Sequence, residues 1–165
     1  MIRTGTSADI TSVQEIAKVS WNDTYAGIIP STIQQSFLDK SYSTPMMEMR
    51  LKRTIILLAE HEGQPVGFAN FTKVDEDGDA ELIAIYMKPE FQRSGYGKQL
   101  LNSGLSYLLN GNQLFVYVES ENTKGRSFYE ANGFELLEEF EELFEGHPLQ
   151  TAKYVYDLKT AAAAL

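Results

Sequence analysis

The sequence predicts a mixed α/β domain with an antiparallel front half. Three observations carry that expectation. Apolar residues recur at helical spacing in three stretches between 9 and 53, then switch to a two-residue period over 54–87. The dipeptide Asp77-Gly78 interrupts the second stretch in the manner of a hairpin turn. Between 85 and 98 a strand pattern passes through glycines straight into a helical one. No linker-like run and no internal repeat divides the 165 residues, so a single domain over 1–159 is expected, with the Ala-rich stretch 160–165 as a frayed tail.

Each element has a local reason. Ile2-Arg3-Thr4 reads as a short strand. Ser7 and Asp9 can cap a helix over about 9–20 that gathers Ile10, Val13, Ile16, Ala17 and Trp21 on one face. The loop 25–30 follows, and Ser31 is placed to cap a helix carrying Ile33, Phe37 and Leu38. Met46, Met47, Met49 and Leu51 mark a helix over 44–53. Strands are expected over 54–60, 66–74 and 80–87, the last ended by Pro89. A helix over 95–110 turns Leu100, Leu101, Leu105, Leu108 and Leu109 inward. A strand over 113–118, a helix from Asn122 to the αL stop Asn132-Gly133, and a strand over 153–158 complete the chain. Residues 134–145 fit both a helical stripe and a strand face, and periodicity does not choose between them.

Composition narrows the function. Fourteen Lys+Arg stand against 23 Asp+Glu, and the net charge of −9 argues against a nucleic-acid binder or a basic membrane-surface protein. The absence of cysteine removes thiolate metal sites and Cys nucleophiles, and two histidines argue against a multi-His metal site. No apolar run approaches a membrane span and the N-terminus lacks a signal-peptide core, so a cytoplasmic protein is the default expectation.

Two segments carry chemistry. In Gln92-Arg93-Ser94-Gly95-Tyr96-Gly97-Lys98 a helix starts at once after a glycine-containing loop. Its unpaired N–H groups and positive dipole end suit a phosphate or pyrophosphate, and glycines let the backbone come close. Lys88, Arg93 and Lys98 make this stretch positive inside an acidic protein. The spacing is neither a Walker loop nor a dinucleotide fingerprint, because no Gly-Lys-Ser/Thr follows and Leu100 stands where a third glycine belongs. The second segment runs from Asn122 to Phe134 and sets Tyr129 two helical turns beyond Asn122 on the same face. A tyrosine there suits proton donation to a leaving group, and equally it suits core packing.

Together these segments resemble the GNAT family, the GCN5-related N-acetyltransferases. Residues 92–97 match the family's Q/R-x-x-G-x-G/A motif, and 122–134 match its N-x-x-(A/G)-x-x-F-Y-x-x-x-G-F segment. Ile2-Arg3 and the stretch Trp21…Thr24-Tyr25-Ala26-Gly27 resemble a bacterial subgroup that includes polyamine acetyltransferases. The resemblance covers about residues 2–158. It implies a mostly antiparallel sheet with helices on both faces, splayed between the strands at 80–87 and 113–118, with acetyl-CoA as co-substrate in the gap. Ile85, Tyr86 and Met87 would border the pantetheine arm, with the backbone of Ile85 and Met87 paired to it. Amides from Arg93 to Lys98 would hold the pyrophosphate, Asn122 would contact the cofactor, and Tyr129 would protonate the departing thiolate. It also implies a strand over 134–145, paired with about 150–158.

Glu81 opens the strand leading to the loop, where many members of that family place a carboxylate acting through water. The alternative is a solvated hairpin residue among Asp75, Glu76, Asp77 and Asp79. That acidic run is not an EF-hand, since Ala80 falls where glycine is needed and Tyr86 where the bidentate Glu belongs. Trp21, Tyr25 and Ile28 are candidates to line the acceptor side, or to pack a loop. Between 127 and 152 there is no Lys or Arg, while Glu138 and Glu142 would share a strand face with Leu136 and Phe140. Carboxylates at the cleft mouth would attract a cationic amine, and an edge kept soluble by charge is the competing reading. His61 and His147 read as turn residues. The expected acceptor is a primary amine of a small molecule, a polyamine or a relative, attacking directly in a ternary complex. A protein or peptide acetyltransferase and a non-catalytic acyl-CoA sensor are the alternatives, and a homodimer is left open.

Overall fold

The computed structural model describes residues 1–163. The strand-like segments of the sequence form a seven-stranded sheet in the order β1-β2-β3-β4-β5-β7-β6. Its strands are β1 (Ile2–Thr4), β2 (Ile55–His61), β3 (Gln64–Phe71), β4 (Asp79–Met87), β5 (Gln113–Glu119), β6 (Glu135–Phe144) and β7 (His147–Asp157). Every neighbouring pair is antiparallel except β4 and β5. A parallel pair needs a crossover, and α4 (Tyr96–Leu105) supplies it.

Helices cover both faces. α1 (Ile10–Thr24), α2 (Ser31–Ser41) and α3 (Thr44–Arg53) pack on one face over Ile56, Leu58, Phe68 and Ala84. α4 packs on the other over Leu57, Phe71, Leu82 and Leu114. Adjacent Leu57 and Leu58 thus enter different cores, which is why β2 reads as a continuous apolar run. α4 comes so close to β3 that a Cβ on Gly104 would stand 2.2 Å from the Phe71 ring.

Several expectations need correction. Asp9 stands at the cap position of the first helix as expected, but Ser7 opens a 3-10 turn over Ser7–Asp9 that Thr6 caps; the Asp9 carboxylate accepts the Thr6 N–H at 2.8 Å, and the helix extends to Thr24. Ser31 is the first helical residue of α2 and Pro30 its cap. The helix after Gly95 ends at Leu105, because Ser106 and Tyr107 leave it through a tighter turn, and Leu109 stays exposed while Leu108 is buried. Residues 135–144 are a strand, but the face expected there is broken. Leu136 pairs with Tyr154 and Glu138 with Lys153, so Leu137 is an extra residue and puts Leu136 on the face opposite Glu138, Phe140 and Glu142. The tail is not frayed at its start: α6 (Leu158–Ala163) is anchored by buried Leu158, with Ala161 against the same core. Residues 164–165 of that expectation lie outside the described ones.

Arg3, Asp9 and Glu60 clamp β1 to the start of α1. Arg3 Nη2 meets Asp9 Oδ1 at 2.8 Å and Nε meets Glu60 Oε1 at 2.6 Å. The Arg3 hydrogen bonds lower the Asp9 pKa to about 2. A depressed folded pKa gives stability that is present above the ordinary aspartate value and is lost as pH falls toward 2. Asp9→Asn should cost about 2 kcal/mol at pH 7, a typical loss for a charged hydrogen-bond partner with part of its pair in solvent. Urea unfolding of both proteins at pH 7 and pH 3 checks it: the difference should shrink at the lower pH.

Candidate functional site

The site begins where two strands part. β4 and β5 pair only at Asp79/Gln113, Ala80/Leu114 and Glu81/Phe115, after which each runs on alone. A bulge starts the divergence: Leu82 pairs with Phe71 and Ala84 with Asn70, leaving Ile83 as the extra residue. Beyond it Ala84 and Tyr86 face α1, while Ile85 and Met87 face α4. Lys88 N donates to Val66 O at 2.8 Å. By the alternation of an antiparallel ladder, Tyr86 spends its backbone groups on β3, and those of Ile85 and Met87 point into the gap. The cleft so formed has a volume of about 690 Å³.

At one end stands the glycine loop. Pro89–Phe91 make a single 3-10 turn, Arg93 takes φ 63° and Gly95 φ 89°, and α4 starts at Tyr96. Ser94 Oγ donates to Phe91 O, and Tyr96 N donates to Ser94 Oγ at 3.4 Å, which holds the loop in shape. The next N–H groups, of Gly97 and Lys98, lie in the first helical turn and have no partner within the helix. A Cβ on Gly95 would meet nothing within 4 Å, so the space over the helix end is open. Arg93, Lys98 and Lys124 line this part of the cleft and form no ion pair among the described residues. Open amides, open space and free cations together fit a pyrophosphate. His61 is not a free turn residue: its Nδ1 lies 2.8 Å from the Tyr96 hydroxyl and its ring packs on Phe91, bracing the loop from the β2–β3 hairpin.

The opposite wall comes from α5 (Thr123–Ala131) and the end of α1. Asn122 caps α5 through Oδ1, which accepts the Gly125 N–H at 2.9 Å. Its Nδ2 reaches the Tyr25 hydroxyl at 3.4 Å. Tyr129 packs against Phe134 and Tyr154 and lines the cleft. Burial raises the pKa of Tyr129, Tyr25 and Tyr86, and Tyr86 pushes the first two further. All three line the cleft and remain protonated phenols at neutral pH. Trp21 lines the same wall.

Most of the residues singled out from the sequence converge here: Trp21, Tyr25, Ile85, Tyr86, Met87, Gln92, Arg93, Gly95, Gly97, Lys98, Asn122 and Tyr129 all line the cleft. Ser94 and Tyr96 stand behind the loop, and Ile28 belongs to the packing under α1. Glu81 lies outside the lining, across the bulge, where burial raises its pKa and Lys153 opposes the rise. Ser20, Thr24, Lys124 and Val118 line the cleft without having been singled out, although Lys124 sits inside the second motif. No group of three or more His, Cys, Asp or Glu suited to a metal occurs among the described residues, and no described helix is long and apolar enough to cross a membrane.

A sheet parted between two strands, with the open start of a helix at one end of the gap, is an arrangement suited to an acyl-CoA acetyltransferase. The chain belongs to the acetyltransferase (GNAT) family, whose pattern matches residues 15–134. It is 34% identical over 123 residues to the uncharacterized N-acetyltransferase YuaI of Bacillus subtilis, covering 70% of each chain. It is 29% identical over 136 residues to a spermidine N(1)-acetyltransferase of Thermoplasma acidophilum, covering 78% of this chain and 83% of that one. The PaiA N-acetyltransferase of Thermoplasma acidophilum, solved with coenzyme A, superposes with a TM-score of 0.81 at 25% identity over 95% of this chain and 98% of that one. This chain is accordingly an N-acetyltransferase with acetyl-CoA as its co-substrate.

Proposed function

We propose that the acceptor is a primary amine of a small molecule, a polyamine or a close relative, and that it attacks the thioester directly in a ternary complex. The observation that carries this reading is the closed acceptor side. The tip of the β6–β7 hairpin folds back on α2: Phe144 stacks with Trp21 at 5.7 Å and meets Phe37 at 5.1 Å. Glu145 binds Ser36 Oγ at 3.2 Å and Lys40 Nζ at 3.1 Å. This roof leaves room for a slender acceptor, whereas a peptide acceptor needs an open groove.

In this reading the backbone of Ile85 and Met87 pairs with the pantetheine arm, with Tyr86 between them. Gln92 and the amides from Arg93 to Lys98 hold the pyrophosphate, and Asn122 touches the cofactor. Tyr129 donates to the departing sulfur. Trp21 and Tyr25 border the amine. Similarity to a spermidine acetyltransferase supports a cationic acceptor, as does the local charge. Glu138 opposes Lys153, which pairs with Tyr117 of the cleft wall, and Glu142 holds the Thr151 hydroxyl at 3.0 Å on the same sheet face. Glu138→Gln combined with Glu142→Gln should raise KM for spermidine about tenfold while leaving KM for acetyl-CoA unchanged, the mark of a screened electrostatic attraction. An unchanged spermidine KM removes these carboxylates from the acceptor path.

The reading is tested by CoA release from acetyl-CoA across polyamines, amino acids, aminoglycosides and short peptides, read with a thiol reagent. The chain has no cysteine, so small rates stand clear of background. Turnover confined to small amines supports it. Turnover with peptides alone, or acetyl-CoA binding with no turnover at all, overturns it.

A further inference from the structure

One ammonium of the chain stands at the edge of the cleft, seated on aromatic rings. Lys153 lies on β7, directly opposite Tyr117 of β5 and Glu138 of β6. Val116 and Val118 belong to the core under α4, so the alternation of β5 turns Tyr117 to the other face of the sheet. That is the face on which α1 packs and from which Trp21 and Tyr25 line the cleft. Tyr117 is part of the same lining and is half-exposed. Lys153 Nζ lies 4.5 Å from the centroid of the Phe115 ring and 5.5 Å from that of Tyr117. Both distances fall within the range, about 6 Å, over which a ring face attracts a cation. Lys153 forms no ion pair among the described residues.

Carboxylates and a third ring complete the surroundings. Glu138 is exposed and is the direct cross-strand neighbour of Lys153 on this face. Glu81 stands beside Phe115 at the last paired position of β4 and β5, and the Lys153 charge is felt there. Phe140 meets the Tyr117 ring edge-on at 6.5 Å and extends the platform toward β6. Aromatic faces bordered by carboxylates stabilise an ammonium. Here the chain's own lysine fills that place, next to a ring that lines the cleft.

We propose that Lys153 holds the place of a second cationic centre of the acceptor, and so sets the preference between acceptors with one amine and acceptors with several. The inference rests on the small-amine reading. A di- or polyamine passing Tyr117 brings its second ammonium to rings already covered and to carboxylates already partly neutralised. Two like charges a few ångströms apart repel, and salt screens little at separations below the Debye length of about 8 Å. An acceptor with a single amine carries no second charge to this spot, so Lys153 opposes it less. Lys153 takes no part in the chemistry; it determines specificity.

A lysine that only held the strands together would, on removal, weaken every acceptor alike. Spermidine and n-butylamine separate the two roles. Lys153→Met keeps the apolar stem on the sheet and removes the charge. The ratio of kcat/KM for spermidine to that for n-butylamine should rise about tenfold, the size of one like-charge repulsion at a half-exposed site. KM for acetyl-CoA should not change. Lys153→Arg retains the charge and should keep the original ratio. Lys159→Met removes the same charge from the exposed side of α6, beyond the far end of β5, and should also keep it. If Lys153→Met does not fold, Lys153→Gln serves in its place with the same expected rise.

An unchanged or lower ratio without the Lys153 charge, or an equal rise in Lys159→Met, overturns the proposal. If no amine is acetylated, the small-amine reading fails, and calorimetric titration of spermidine into the CoA-bound protein still decides this one. Tighter binding to Lys153→Met than to the unsubstituted chain supports it, and equal or weaker binding overturns it.

Discussion

Tyr129→Phe should lower kcat by about 10²-fold, the loss expected when a positioned proton donor is removed. The ring is held by Phe134 at 5.5 Å, Phe128 at 5.6 Å and Tyr154 at 6.1 Å, and phenylalanine keeps all three contacts. The fold and the affinity for acetyl-CoA should therefore stay as they are. The hydroxyl makes no hydrogen bond to the described residues, so removing it leaves no buried partner stranded. Burial, with Tyr86 and Tyr25 nearby, holds its pKa well above the usual phenol value. It remains a donor across the whole working range, and the rate loss should be independent of pH between 6 and 9. Thermal unfolding, an acetyl-CoA binding isotherm and steady-state rates check this together. A kcat equal to that of the unsubstituted protein means that another group or water reprotonates the sulfur.

The second large effect is expected at Gly95. Its φ of 89° lies in the left-handed region, and the volume over its Cα is empty to 4 Å. A β-branched residue there suffers twice. The backbone conformation costs about 1–2 kcal/mol, and the methyl groups project into the space over the N-terminus of α4, beside the Gly97 and Lys98 amides proposed to hold the pyrophosphate. Gly95→Val should raise the Kd for CoA by at least about 10-fold, since one blocked charge-assisted hydrogen bond is enough for that. Gly95→Ala separates the two causes: it carries most of the backbone strain with a smaller obstruction, so it should lower Tm by a similar amount and weaken CoA binding less. Calorimetric titration with CoA and thermal unfolding give the comparison. Retained affinity in Gly95→Val would remove the helix end from the binding site.

The glycine loop and the helix start behind it were legible in the sequence because they depend on backbone chemistry, which glycine and helix-start positions advertise locally. Gln92 through Lys98 and Asn122 through Tyr129 fall in two short windows, and each window folds into one loop and one helix wherever the rest of the chain goes. The other strands were likewise marked by short alternating or continuous apolar runs, but β6 was not. There an edge position admits glutamate on both faces and the extra residue Leu137 shifts the period, so a helical stripe fitted equally well. Residues acting across the sheet left weaker traces. Glu81 has the residue type and position expected of a base, yet the Ile83 bulge sets it apart from the cleft wall that Ala84 to Met87 form.

By itself the sequence determined the family, the co-substrate and the glycine loop that opens α4, because these rest on contiguous residues whose conformations are set by near neighbours. Only the tertiary structure decided what meets on the far side of the cleft. Glu145 reaches Lys40 across 105 positions, and Asn122 reaches Tyr25 across 97. Tyr25, Tyr86 and Tyr129 come together from a helix end, a bulged strand and a second helix. Such meetings depend on how strands pair and where one of them slips by a residue, and a slip of one residue exchanges every side chain between the two faces of a sheet.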